Sequence, residues 1–489
     1  MAVPAITGAG YPRSAINAAC LAASLLVAGC SLAPAHVRPP QPVPQSYAAS
    51  PSGSPSIARI GWYDFFHEDA LRALIAAALE NNRDIRIASG RVAEARAAWR
   101  IQGSALYPQF DAVATGTRGR VPADLSMTGQ AITGNQIYAQ LGAGWEIDFW
   151  GRLRNLNMAA RAQYLATEEA RRAIATDLVA QVANGYLLER EYEERAALAS
   201  QTIKTREDAL RILRRRYEVG SGSRLEMTQA QTLLAQAQTA LLALDQDREI
   251  NRNALALLVG RPVDIRPGPI GLADVAPAVV LPAGLPSELL VNRPDILAAE
   301  YRLRAANANI GAARAAFLPT ISLTGAFGTA SSELDGLFSD GSHAWNFTPM
   351  LSLPLFNAGR LSGNLDLARA RQVIAVADYE RTVQAAFRDV SDALVRRRQL
   401  GLQIETTRNM LAALQERARL AQLRFDYGRS AYLEVLDAQR DLFATEQALV
   451  QLRRAHLGSA VALYAALGGG FVQTPAFDIN ATETGNPVP

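Results

Sequence analysis

The chain has 489 residues, is 49% hydrophobic, and carries 49 Lys+Arg against 46 Asp+Glu, a formal charge of +3. That balance excludes a disordered polyelectrolyte, and no face-concentrated positive charge marks a nucleic-acid partner. The only cysteines, Cys20 and Cys30, fall in the first thirty residues, which excludes a disulfide scaffold or a cysteine metal site in the rest.

At the N-terminus Arg13 precedes a mildly apolar stretch that ends Leu26-Val27-Ala28-Gly29-Cys30. Small residues before a Cys, after a short apolar run, match the cleavage site of a lipoprotein signal peptide. Residues 1–29 are therefore expected to be removed and Cys30 to carry diacylglycerol and an N-acyl chain. An ordinary signal peptide with an incidental Cys30 is the alternative. Cys20 follows Asn17-Ala18-Ala19 and lacks the matching residues, while Ser31 suits sorting to an outer membrane. A Pro-rich tether, 30–60, comes next. Nothing later approaches 18 uninterrupted apolar residues, so a membrane crossing would have to be made by strands.

From there the sequence is written twice. Asp84, Arg91 and Tyr107-Pro108 return 211 positions later as Asp295, Arg302 and Leu318-Pro319. Gly151-Arg152-Leu153, Arg216-Tyr217-Glu218-Val219-Gly220, Leu225-Glu226 and Gly260 return after 208, as Gly359-Arg360-Leu361, Arg424-Phe425-Asp426-Tyr427-Gly428, Leu433-Glu434 and Gly468. The expected domains are a first repeat over 61–261, a connector over 262–287, a second repeat over 288–470 and a tail over 471–489. Six prolines between Pro262 and Pro286 make the connector impassable to a helix.

Each repeat is expected to hold a helix, two strands and a long αα-hairpin, and two strands precede each long helix. Ile137, Ala139, Leu141, Ala143, Trp145, Ile147 and Phe149 alternate with Gln136, Tyr138, Gln140, Gly142, Gly144, Glu146 and Asp148. Trp345 to Leu355 and Ile321 to Phe327 repeat the scheme, and Phe110 to Thr117 does so more weakly. Period two over about ten residues with aromatics near the ends suits a membrane barrel strand, although a soluble two-faced sheet has the same alternation. Then come proline-free runs of strong helix formers, Leu153 to Val219 and Leu361 to Tyr427, each of 67 residues. As helices they measure about 100 Å at ~1.5 Å per residue. Gly220-Ser221-Gly222 and Gly428 end them, and new helices start near Leu225 and Leu433. Ser223-x-x-Glu226 reads as a capping box at the first of those starts.

Four strands cannot seal a barrel, because the smallest transmembrane barrels need about eight. Open edges are not tolerated in lipid, so several copies must share one barrel or the strands lie outside the membrane.

Together Gly61-Trp62-Tyr63-Asp64-Phe65-Phe66, Asn292-Arg293-Pro294-Asp295-Ile296, Phe317-Leu318-Pro319-Thr320-Ile321-Ser322-Leu323 and Tyr432-Leu433-Glu434-Val435-Leu436-Asp437-Ala438-Gln439 resemble the TolC/OprM outer-membrane efflux factors, in their NodT-like lipoprotein branch. The resemblance implies a mainly α protein with a transmembrane β-barrel. It implies a homotrimer giving four strands per copy to a 12-stranded barrel, continuous with a long periplasmic α-helical barrel. It implies a passive exit duct for small molecules such as drugs, working with a periplasmic adaptor and an inner-membrane pump of the RND type. By the same resemblance the periplasmic gate falls on Leu433, Glu434, Asp437 and Arg440, with Glu226 from the first repeat; acids suited to a helix dipole are the alternative for Glu226 and Asp437. The turns Gly220, Ser221, Gly222, Ser223 and Gly428, Arg429, Ser430 are expected to dock the adaptor. Where some relatives carry a Tyr and an Arg that lock the hairpins, this chain has Phe425 and Ser430, so that lock is absent or differently built, with Arg429 a substitute.

His36, His67, His343 and His456 sit in no metal or nucleophile spacing, and no phosphate or dinucleotide fingerprint occurs. No enzyme, cofactor or metal is expected. Two rivals stay open: a type I protein-secretion duct of the same fold, and a purely structural helical lipoprotein without strands.

Overall fold

A computed structural model describes residues 32–40, 42–44, 46–47, 60–265, 271–272 and 286–470. The signal-peptide segment, Cys30, most of the 30–60 tether, most of the 262–287 connector and the 471–489 tail lie outside the described residues.

The elements run α1 (Trp62–Phe65), α2 (Asp69–Asn81), α3 (Arg83–Ser104), β1 (Gln109–Val121), β2 (Ile132–Ile147), α4 (Arg152–Glu218) and α5 (Arg224–Val259). They continue as α6 (Pro286–Asn292), α7 (Pro294–Ala315), β3 (Thr320–Ser331), β4 (His343–Ser352), α8 (Arg360–Asp426) and α9 (Tyr432–Ala466). The two long helices have 67 residues each, one position earlier than the sequence predicts. Both strands that lead into the long helices end earlier than the alternation suggested. β2 stops at Ile147 because Asp148 turns to cap α4, accepting from the amides of Leu153 (3.0 Å) and Arg154 (2.7 Å). β4 stops at Ser352, two residues before Pro354, which has no amide to continue the ladder. Among the described residues no helix is long and apolar enough to cross a membrane. A helical lipoprotein without strands does not fit this fold.

The chain forms two compact units. One takes in Val92–Ala166, Ala299–Tyr379 and the described N-terminal residues up to Pro39. It holds an antiparallel meander in the order β1-β2-β3-β4, so β1 and β4 are unpaired edges within one chain. The ladder registers run without a break. Phe110 faces Ala143, Leu141 faces Phe327, Trp145 faces Leu323, and Phe327 faces Trp345. Side chains alternate along a strand, so these apolar residues share one face. Asp111, Gln140, Glu146, Ser322, Thr324, Asn346 and Thr348 share the other. The apolar face is uncovered in the single chain, with Phe110, Phe327, Trp345 and Phe347 all more than 60% exposed.

The second unit takes in the described residues of Pro40–Arg91, of Thr167–Ala298 and from Glu380 to Gly470. Here Phe65 of the Gly61–Phe66 motif stacks on Tyr464, 4.3 Å between centroids. Arg293 of the Asn-Arg-Pro-Asp motif is nearly buried; it grips the Asp295 carboxylate at 2.6 and 3.0 Å and donates to the Ala466 carbonyl at 3.0 Å. Both motifs are therefore packing devices. α4 is held from two sides by buried ion pairs: Glu189 takes Arg248 (2.7 Å) and Arg252 (2.9 Å) of α5, and Glu191 takes Arg454 (2.9 Å) of α9. α5 ends at Gly260, φ +78°, where a Cβ would lie 2.4 Å from the Asn81 carbonyl oxygen.

Candidate functional site

The candidate site is the pair of hairpin tips, α4–α5 and α8–α9. The first turn follows Glu218, with Gly220 at φ +76°, a conformation glycine adopts freely. Ser223 then opens α5 as the predicted capping box: its hydroxyl accepts from Leu225 N (3.1 Å) and Glu226 accepts from Ser223 N (3.3 Å). The second turn uses Gly428 at φ +71°, and the Arg429 amide donates to the Arg424 carbonyl at 2.7 Å.

All four helix ends share one apolar cluster: Leu210 and Leu213 of α4, Ala230 and Leu233 of α5, Ala421 of α8, and Tyr432, Val435 and Leu436 of α9. Val435 and Leu436 face inward, which turns Leu433 and Glu434 out to solvent. Tyr432 is 3% exposed, and burial pushes its pKa up to about 12. Beside it Arg206, also buried, donates to the Leu233 carbonyl at 2.5 Å and lies over the Phe443 ring at 5.2 Å. Burial lowers the Arg206 pKa.

Of the expected gate residues, Asp437 and Arg440 come together at 3.2 Å on one face of α9. Arg440 also reaches Asp441 at 3.4 Å, and Asp441 is bound from across the hairpin by Arg417 at 2.8 Å. Glu434 lies 3.8 Å from Arg424. Glu226 closes its own helix start. In place of a tyrosine–arginine lock, Phe425 packs edge-on against Tyr432 at 4.8 Å, under the Arg216 guanidinium at 4.9 Å. Among the described residues of the single chain Arg429 makes no ion pair.

Arg417, Arg424, Asp441, Arg206 and Arg216 were not singled out from sequence. A signal for three of them exists, because Arg417–Asp441 and Arg424–Glu434 are both symmetric about Arg429, as pairs facing each other across a hairpin must be. Among the described residues no group of His, Cys, Asp and Glu is placed to hold a metal.

A sheet with one apolar face and two open edges, followed in the chain by paired long helices, is the arrangement that a membrane channel assembled from several copies requires. The model of the family described as "Outer membrane efflux protein" matches residues 74–261 and 285–469. The toluene efflux pump outer membrane protein TtgF of Pseudomonas putida is 44% identical over 464 residues, covering 92% of this chain and 96% of its own. The cation efflux system protein CusC of Escherichia coli O6:H1 is 41% identical over 455 residues, covering 92% and 98%. A crystal structure of a membrane protein from Pseudomonas aeruginosa superposes with a TM-score of 0.84 at 41% identity, covering 90% of this chain and 98% of that one. The chain belongs to the outer membrane efflux protein family. Its function is that of an outer-membrane channel in efflux, a transport component.

Proposed function

We propose that three copies of this chain pool their strands into a sealed 12-stranded barrel in the outer membrane and form a passive exit duct. The carrying observation is the four-stranded meander, apolar on one face, polar on the other, and unpaired at β1 and β4. In hydrocarbon the bare amides and carbonyls of those edges demand partners, and β4 of one copy against β1 of the next supplies them. The paired helices extend into the periplasm, where an adaptor docks on the turns Gly220–Ser223 and Gly428–Ser430, and an inner-membrane pump supplies the energy. With TtgF named for toluene and CusC for cations, the cargo is small molecules or ions chosen by the pump.

At the periplasmic end the Asp437–Arg440 pair, extended through Asp441 to Arg417, holds the second hairpin in its closed form, with Leu433 as an apolar constriction. Threefold repetition makes rings of Glu434 and Asp437 that favour cations. Diacylglycerol and an N-acyl chain on Cys30 tether each copy to the membrane.

Purified full-length protein tests the reading directly. Heat-modifiable trimers in outer-membrane fractions and discrete conductance in planar bilayers are expected. A monodisperse monomer, or vesicles that stay impermeable after reconstitution, would overturn it. Cysteines at Ser221 and Arg429 are expected to cross-link to the adaptor; failure at every tip position removes docking there. Palmitate labelling that survives Cys30→Ala rules out Cys30 as the site of the lipid anchor.

A further inference from the structure

We propose that Arg118 and Arg120 form a binding site for phosphorylated lipid in the outer leaflet. The proposal rests on reading the apolar face of the sheet as the lipid-facing wall. The continuous registers place the even positions of β1 on the same face as the odd positions of β2, β3 and β4. Across all four strands that face holds two fixed charges, Arg118 and Arg120, and no carboxylate. They stand opposite Asn135 and Thr133, where the apolar residues give way to polar ones. Both are exposed, and among the described residues neither makes an ion pair.

Their height fits a headgroup layer. The helices attach at the Gln109, Ile147, Thr320 and Ser352 ends of the strands, so the loops 122–131 and 332–342 lie at the opposite end, beside these arginines. The eight residue steps from Phe110 to Arg118 span ~27 Å along a strand. At a barrel tilt of ~40° that is a rise of ~20 Å, close to the ~25 Å of a typical apolar band. An arginine facing hydrocarbon is costly at the midplane and nearly free at the interface, where these two sit. Their side chains are two residues apart, ~7 Å, on one face. Each planar guanidinium can grip a phosphate through two parallel N–H···O bonds, which a lysine cannot do. A lipid carrying two phosphates, such as lipid A, matches this pair. The competing partner is a carboxylate from the 332–342 loop of a neighbouring copy, Glu333, Asp335 or Asp340.

Native mass spectrometry of the full-length protein in detergent decides between them. The probes are bisphosphorylated lipid A, the same lipid without phosphates, and inorganic phosphate as competitor. The wild type is expected to retain bisphosphorylated lipid A, and Arg118→Gln/Arg120→Gln to retain about tenfold less, the ratio that ~1.4 kcal/mol produces. Arg118→Lys/Arg120→Lys should fall between them, and inorganic phosphate should not displace the lipid. Equal retention of dephosphorylated lipid, displacement by phosphate, or unchanged retention by the glutamine pair overturns the site. If the glutamine pair fails to form trimers, the lysine pair carries the test, and retention equal to wild type overturns the site. Conductance is recorded in parallel. A conducting wild type that retains no lipid overturns this site alone, whereas a wild type that does not conduct overturns the channel reading.

Discussion

Arg417 near the end of α8 binds Asp441 of α9 at 2.8 Å, and the same carboxylate lies 3.4 Å from Arg440, which holds Asp437 at 3.2 Å. Four charges thus form one chain across the second hairpin, and Asp441 is its only member with an arginine on each side. Exposed pairs contribute about 0–1 kcal/mol each, so the chain matters through its sharing and not through any one contact. Asp441→Asn breaks two links, whereas Asp437→Asn breaks one. Single-channel recordings should therefore show more frequent opening or higher conductance for Asp441→Asn than for Asp437→Asn. Asp437→Ala with Arg440→Ala should also raise conductance. If all three conduct like wild type, the ion-pair chain does not hold the tip.

The apolar cluster beneath that chain has its own pH dependence. Burial raises the Tyr432 pKa from an ordinary 10 to about 12, so the folded tip keeps its proton where the unfolded chain has lost it. The stabilisation is complete below pH 10 and is lost as pH climbs from about 10 to about 12. Hydrogen exchange at the start of α9 should accelerate across that window, and Tyr432→Phe should flatten the response. A tip whose exchange rises equally in Tyr432→Phe owes its alkaline loosening to another group.

How much of this could be read from sequence depended on periodicity. The long helices were legible because 67 proline-free residues rich in strong helix formers favour one continuous helix, and their ends fell within one residue. Alternation located the strands and sorted their faces. It could not see Asp148 leaving β2 to cap α4, because that depends on where the next helix begins and not on polarity. The Asp437–Arg440 pair was visible as an i, i+3 spacing on one helix. Arg417 and Arg424 were invisible until the centre of the turn was fixed, since a cross-hairpin pair has no period of its own. Arg206 was the hardest: a buried arginine bonded to a carbonyl looks, in sequence, like any exposed arginine.

The face assignment makes a sharp contrast between neighbours in sequence. Leu141 lies on the apolar face opposite Phe327, and Gln140 lies on the polar face opposite Gly328. An arginine facing lipid costs about 2–4 kcal/mol near the midplane, whereas one facing a water-filled lumen has no such penalty. Leu141→Arg should sharply reduce folded trimer in outer-membrane fractions. Gln140→Arg should assemble normally and shift conductance toward anions, measurable as a change in reversal potential under a salt gradient. Equal assembly of the two variants would mean that the sheet does not separate lipid from water.

Gly328 tests the sheet from inside. It faces Gln140, and a Cβ built on it would meet the Ala139 carbonyl oxygen at 2.1 Å and Gln140 Cα at 2.6 Å. Both atoms are backbone, so no side chain can swing away to make room. Gly328→Ala must instead push β2 and β3 apart at the middle of the meander, with a typical overpacking cost of about 1–3 kcal/mol. Gly116 and Gly134, in β1 and β2, have nothing within 4 Å of the same built atom. Alanine at either should therefore be accepted, and even favoured slightly for its lower backbone entropy in the unfolded chain. Comparing heat-modifiable trimer among the three variants isolates close β2–β3 approach from a general aversion to replacing strand glycines. Loss of trimer confined to Gly328→Ala is the expected result; equal loss in all three would assign the effect to the glycines' flexibility.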